Sequence, residues 1–195
     1  MNQQHLEMCS SAEWAEAVER WIIPWVLDSV DLGGDVLEIG PGPGLTTDVL
    51  AQRVAHLTAL EIHEELADGL SARFEGTNVD VVRGDATAMQ LPTDRFTGAV
   101  CLTMLHHVPS PEQQDQVFAE VHRVLQPGGL LAGQDSLASD ELEALHVDDT
   151  YVPIDPAALP ARLEAAGFVD IDVETNEYAV RFRARKAGMT LASGN

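Results

Sequence analysis

The chain has 195 residues, with 32 acidic against 11 basic side chains and a net charge of −21. Such a surface repels phosphate backbones and anionic bilayers, so nucleic acid and membranes are not expected as partners. Cys9 and Cys101 lie in unrelated contexts and imply no disulfide framework; no apolar run reaches membrane-spanning length, and no secretion signal opens the chain, so a cytoplasmic protein is expected.

At this length one domain with a sizeable apolar core is expected. Ser10 with Glu13 reads as a capping box. After it, Trp14, Val18, Trp21, Ile22 and Trp25 recur at helical spacing and predict a covering helix within residues 1–30. Trp21 and Trp25 are expected in the core, and Pro24 is expected to kink or divide the helix. The apolar run 36–39 ends beside Glu38 and enters Gly40-Pro41-Gly42-Pro43-Gly44. Alternating glycines let the backbone turn sharply and approach a ligand, with a helix starting at once. A dinucleotide fingerprint needs glycine at 45, where Leu45 stands, and no Lys-Ser/Thr pair is present for a P-loop.

Further strands are predicted near 57–61, 79–82, 97–102 and 129–134, alternating with amphipathic stretches, as in a parallel sheet with right-handed crossovers. Helices are predicted at 111–125, with Val117, Phe118, Val121 and Leu125 inward, and at 155–166, with Leu159 and Leu163 inward. Residues 168–173 and 178–184 alternate apolar with polar and predict an antiparallel pair at the end of the sheet. The second run ends in the acid Glu61 and the third in Gly84-Asp85-Ala86.

The glycine turn resembles motif I of the class I methyltransferases that use S-adenosylmethionine. The segments ending at Glu61 and Asp85, Phe96 to Val108, and Arg123 to Leu131 resemble that family's later motifs in order and spacing. The likeness spans roughly residues 30–185. It implies an α/β fold: a seven-stranded, doubly wound, mostly parallel sheet with an antiparallel last strand and helices on both faces. The expected division is a covering helix at 1–30, the cofactor-binding domain at 31–187 and a mobile tail at 188–195. The implied cofactor is S-adenosylmethionine, with S-adenosylhomocysteine as product. Its expected site comprises Glu38, Gly40, Gly42 and Gly44, Glu61 on the ribose, Ile62 on the adenine, Asp85 with Ala86 near the adenine amino group, and Leu102 with Thr103. Thr97 stands where relatives often have aspartate.

The Leu105-His106-His107-Val108 string resembles the small-molecule branch of the family, including quinone-type methyltransferases. An imidazole there can take a hydroxyl proton, with His106 favoured over His107. The alternative is that one ring caps the loop and the other packs on the next helix. Residues 134–153 read as a substrate-facing loop carrying Ser136, His146 and Tyr151, the last two as secondary catalytic candidates. His146, Asp148 and Asp149 form a weak candidate cation cluster, and solvated loop residues are the favoured reading, so no metal is expected. His5, His56, His63 and His122 read as structural, with His63 bordering the ribose. The expected partner is a small-molecule methyl acceptor, with the chain a monomer or homodimer. A catalytically silent S-adenosylmethionine-binding module is the alternative function, and a dinucleotide oxidoreductase fits neither the glycine spacing nor the final hairpin.

Overall fold

Parallel strands dominate because the apolar runs are short, buried on both faces and separated by helices. The computed structural model describes residues 2–189; of the expected tail, residues 190–195 lie outside the described residues. Strands β1 (Asp35–Ile39), β2 (His56–Glu61), β3 (Val79–Arg83), β4 (Phe96–Leu102), β5 (Leu125–Ser136), β6 (Phe168–Thr175) and β7 (Ala179–Lys186) form one sheet in the order β3-β2-β1-β4-β5-β7-β6. Pairings from β3 across to β5 are parallel, and β7 runs antiparallel to both neighbours. The order reverses between β1 and β4, which opens a crevice beyond their carboxyl ends.

Alternation along each strand divides the core. Leu37, Ile39, Ala99, Cys101 and Leu131 face one side and pack with Phe118 and Val121 of α6 (Pro111–Val124) and Leu159 and Leu163 of α8 (Leu159–Ala165). Val36, Val100 and Ala132 face the other and pack with Val18, Ile23 and Val26 of the N-terminal segment, Leu50 of α4 (Leu45–Leu50) and Leu70 of α5 (Glu64–Arg73). Phe118 and Phe182 meet edge-on with centroids 6.0 Å apart, a favourable aromatic geometry. Thr97 has its own task, since its hydroxyl accepts from the Asp35 amide and donates to the Asp35 carbonyl, pinning the start of β1. The single lysine, Lys186, donates to the Asp94 carboxylate at 2.6 Å and the Leu125 carbonyl at 2.9 Å.

The N-terminal segment departs from the single helix expected. It comprises α1 (Gln3–Cys9), α2 (Ala12–Ala17), a π-helical turn (Val18–Ile22) and α3 (Ile23–Leu27) with Pro24 in its first turn. Ser11, not Ser10, caps α2, its hydroxyl accepting from the Trp14 amide at 3.1 Å. The π turn shifts the phase of the apolar stripe, so Val18 and Ile23 are buried while Trp21 is 71% exposed instead of in the core. Trp25 is half-buried beneath the Arg181 guanidinium. The stretch 134–153 is likewise more ordered than a loop: β5 continues to Ser136, and Ser139 caps α7 (Asp140–Leu145), with acids in its first turn.

Candidate active site

The crevice at the strand ends holds a cavity of about 300 Å³ lined by Gly40, Gly42, Glu61, Ile62, Asp85 and Thr103, among others. Gly40, Gly42 and Gly44 all have positive φ, at 64°, 56° and 85°. At Gly40 a Cβ would lie 2.9 Å from Met104 Cγ, and at Gly44 2.3 Å from Arg73 Nη2. Both positions therefore require glycine for space as well as conformation. Arg73 fixes the turn by donating to the carbonyls of Pro43 at 3.0 Å and Gly44 at 2.8 Å.

The three predicted acids take different stations. Glu61 is buried at the tip of β2, one carboxylate oxygen accepting from the Gly42 amide at 3.0 Å and the other from the His63 amide at 2.9 Å. Each oxygen keeps one lone pair for an incoming hydroxyl. Asp85 is exposed at the rim, accepting at 2.8 Å from the Thr87 amide and at 2.8 Å from its hydroxyl. Glu38 does not line the cavity: it is buried beneath the turn, accepting from the hydroxyls of Thr46 and, at 2.7 Å, Thr47. Burial pushes its pKa up to about 7, against the opposing pull of those hydroxyls. It ties β1 to the first turn of α4. Gly44 initiates that helix and lies off the cavity, while Leu102 borders a small adjoining pocket with Trp14, Cys9 and Pro41.

On the opposite side His107 reaches the cavity, with a cluster of imidazoles packed behind it. His106 and His107 sit in a short 3₁₀ turn after β4; His146 caps the end of α7, and His5 projects from α1. One ring nitrogen from each of these four residues lies within 4.8 Å of the others. His106 Nδ1 faces the buried Asp135 carboxylate at 2.6 Å, and His146 Nδ1 faces the Leu142 carbonyl at 2.6 Å. Tyr151 stacks on His146 at 4.5 Å. Burial, then the charge His146 and His106 can carry, lowers the His5 pKa to about 4; burial, then His106 and His5, lowers His107 to about 2. His5 Nδ1, His106 Nε2, both nitrogens of His107 and His146 Nε2 are buried with no hydrogen-bond partner in the protein. Each such group costs about 1–3 kcal/mol when left unsatisfied.

Residues 36–129 match the model of the methyltransferase domain family. Over this segment, just under half of the chain, the sequence is similar to a methyltransferase domain. Among curated proteins this domain is similar to a ubiquinone biosynthesis O-methyltransferase of Pseudomonas fluorescens, 34% identical over 112 residues, 55% of this chain and 47% of that protein. The chain thus spans about half the length of the curated relatives it matches. Among solved structures the methyltransferase fold is shared with a protein from Pyrococcus horikoshii at TM-score 0.77 and 17% identity, covering 92% of this chain and 94% of that one. It is shared also with a SAM dependent methyltransferase from Aquifex aeolicus at TM-score 0.74 and 19% identity, covering 96% of this chain and all of that one.

The four side chains singled out as catalytic candidates, His106, His107, His146 and Tyr151, converge in space. Only His107 among them lines the cavity, with Asp149 and Thr150. Asp148 stands apart, exposed at positive φ, and the candidate cluster His146, Asp148 and Asp149 is replaced by the all-imidazole group. His5 escaped sequence reasoning, because a lone histidine in the polar stretch Asn2-Gln3-Gln4 carries no periodic signal. His56 bridges Asp35 and Asp80, and His122 packs edge-on to Phe168, both remote from the cavity.

Proposed function

We propose that this domain binds S-adenosylmethionine and transfers its methyl group to a small-molecule oxygen, carbon or nitrogen. The observation that carries the reading is the glycine turn whose backbone is locked onto Glu61, leaving carboxylate lone pairs and a side-chain-free bend at one cavity. The cofactor supplies an electrophilic methyl on a sulfonium. Glu61 holds the ribose hydroxyls, Ile62, 56% exposed at the rim, covers the adenine, and Asp85 with Ala86 receives its amino edge. Gly40, Gly42 and Thr103 leave room for the amino acid portion. Glu38 and Gly44 act from beneath, shaping the turn, and Leu102 supports Thr103.

His107 is the ring that touches the acceptor. His106, tethered to Asp135, is a positioning residue that fixes the loop after β4. Much of the remaining work is to hold donor and acceptor in line and exclude water. Among the described residues the acceptor wall has no cluster of cations for a polyanion, which with the net charge favours a small neutral or cationic substrate over nucleic acid. No helix among the described residues is long and apolar enough to cross a membrane, and we read the chain as a cytoplasmic monomer or homodimer.

Calorimetric titration with S-adenosylmethionine, followed by radiolabelled methyl transfer into fractionated metabolite extracts, tests this reading. Saturable binding with donor-dependent labelling of one fraction is expected. Binding without labelling of any fraction would favour the silent-module alternative, and no binding would end the proposal.

A further inference from the structure

We propose that His5, His106, His107 and His146 form a site for one divalent transition metal, with zinc as the best-fitting ion. Four imidazole nitrogens within 4.8 Å of one another are close to the separation a tetrahedral zinc site needs, about 3.3 Å between ligands, so side-chain rotations of an ångström or so complete it. His5, His106 and His146 are at most 4% exposed, and their inward nitrogens lack any protein partner.

The supporting contacts are those a metal site requires. The carboxylate beside His106 Nδ1 and the carbonyl beside His146 Nδ1 each accept a hydrogen bond from the ring N–H, which leaves the lone pair on Nε2 of both rings. The Asn2 side chain accepts from the His5 amide and donates to the carbonyls of Leu145 and Val147, so α1 is already joined to the end of α7 around the cluster. Gln114, fully buried, donates to the carbonyls of Leu105 and Val152, joining the histidine turn to the chain beyond α7. An all-nitrogen donor set suits zinc, copper or nickel and disfavours magnesium or calcium.

The metal clasps three segments remote in sequence, α1, the turn after β4 and the end of α7, into the wall that faces the acceptor. Closed four-ligand zinc sites are structural, and their binding energy adds to folding energy. The inference does not rest on methyl transfer: the metal takes one nitrogen of His107, whose ring still borders the cavity.

Tag-free, chelator-stripped full-length protein should take up one zinc per chain against a chromophoric chelator, with Kd of about 0.1 μM or tighter, and zinc should raise its melting temperature. Cobalt should give the intense visible bands of a tetrahedral site. His5→Ala and His146→Ala should each weaken zinc binding by roughly 100-fold, and Asp135→Asn by roughly tenfold. His122→Ala should leave it unchanged. Absence of a tight equivalent in the parent, or affinity retained in both His5→Ala and His146→Ala, would overturn the proposal, and neither result bears on S-adenosylmethionine binding.

Discussion

The two walls of the crevice are built on opposite principles. Along the ends of β1, β2 and β3 the polar groups are paired: Glu61 takes two amides, Glu38 two hydroxyls and Arg73 two carbonyls. Beyond β4 and β5, the histidine wall leaves five imidazole nitrogens without a protein partner. A satisfied wall is rigid before anything binds, which suits a ligand that is always the same. An unsatisfied wall is completed from outside, and here specificity is set by chain segments that the sheet does not dictate.

The sharpest way to break this contrast is at the turn. Gly44→Val places a branched side chain at φ 85° against Arg73 and Leu70. It should cost roughly 3 kcal/mol of stability in denaturant unfolding and remove measurable S-adenosylmethionine binding. A variant of parental stability would show that the turn is not preformed.

Glu38 offers the pH counterpart. Its folded pKa of about 7 lies above the ordinary 4.5, so the folded state holds more protons than the unfolded state between those values. Its contribution is fullest below pH 4.5 and is lost as pH rises toward 7. Glu38→Gln should therefore gain on the parent across that window, by about 2–3 kcal/mol at pH 7.5. Parallel stability curves for the two proteins from pH 4.5 to 7.5 would refute this assignment.

A smaller effect separates the two rim acids. Glu61→Ala removes hydroxyl acceptors and orphans the Gly42 and His63 amides, so affinity for S-adenosylmethionine should fall by about 2–3 kcal/mol. Asp85→Ala, exposed and bonded only to its own turn, should cost about 1 kcal/mol. Calorimetry giving the reverse order would exchange their roles. Smallest of all is Trp21→Ala, within about 0.5 kcal/mol of parental stability, whereas Trp14→Ala, beside Pro41 and Gly42, should lower cofactor affinity severalfold.

The same contrast explains what could be read in the letters. The turn at 40–44 and the acid ending β2 are local: strand, bend and ligand-facing residue are contiguous, so spacing reveals them. Val117, Phe118 and Val121 were equally legible because one helix face meets one sheet face. The histidine cluster is assembled from three segments separated by 101 and 39 positions, and no periodicity in Asn2-Gln3-Gln4-His5 announces a buried ring. Helix α7 leaves only a brief signal, Ser139 followed by Asp140 and Glu141, at the start of a helix of 6 residues. Trp21 was misplaced for a different reason, since counting by 3.6 assumes an unbroken α-helix.

That broken count has a consequence for how this molecule can change. A π turn holds one residue more than the α-helical turn it replaces, so residues after Val18–Ile22 are rotated by about 100° relative to an uninterrupted spiral. Losing or gaining a single amino acid there would turn the whole leading segment like a dial. Different side chains would then stand over the mouth of the crevice while the seven-stranded framework beneath stayed as it is.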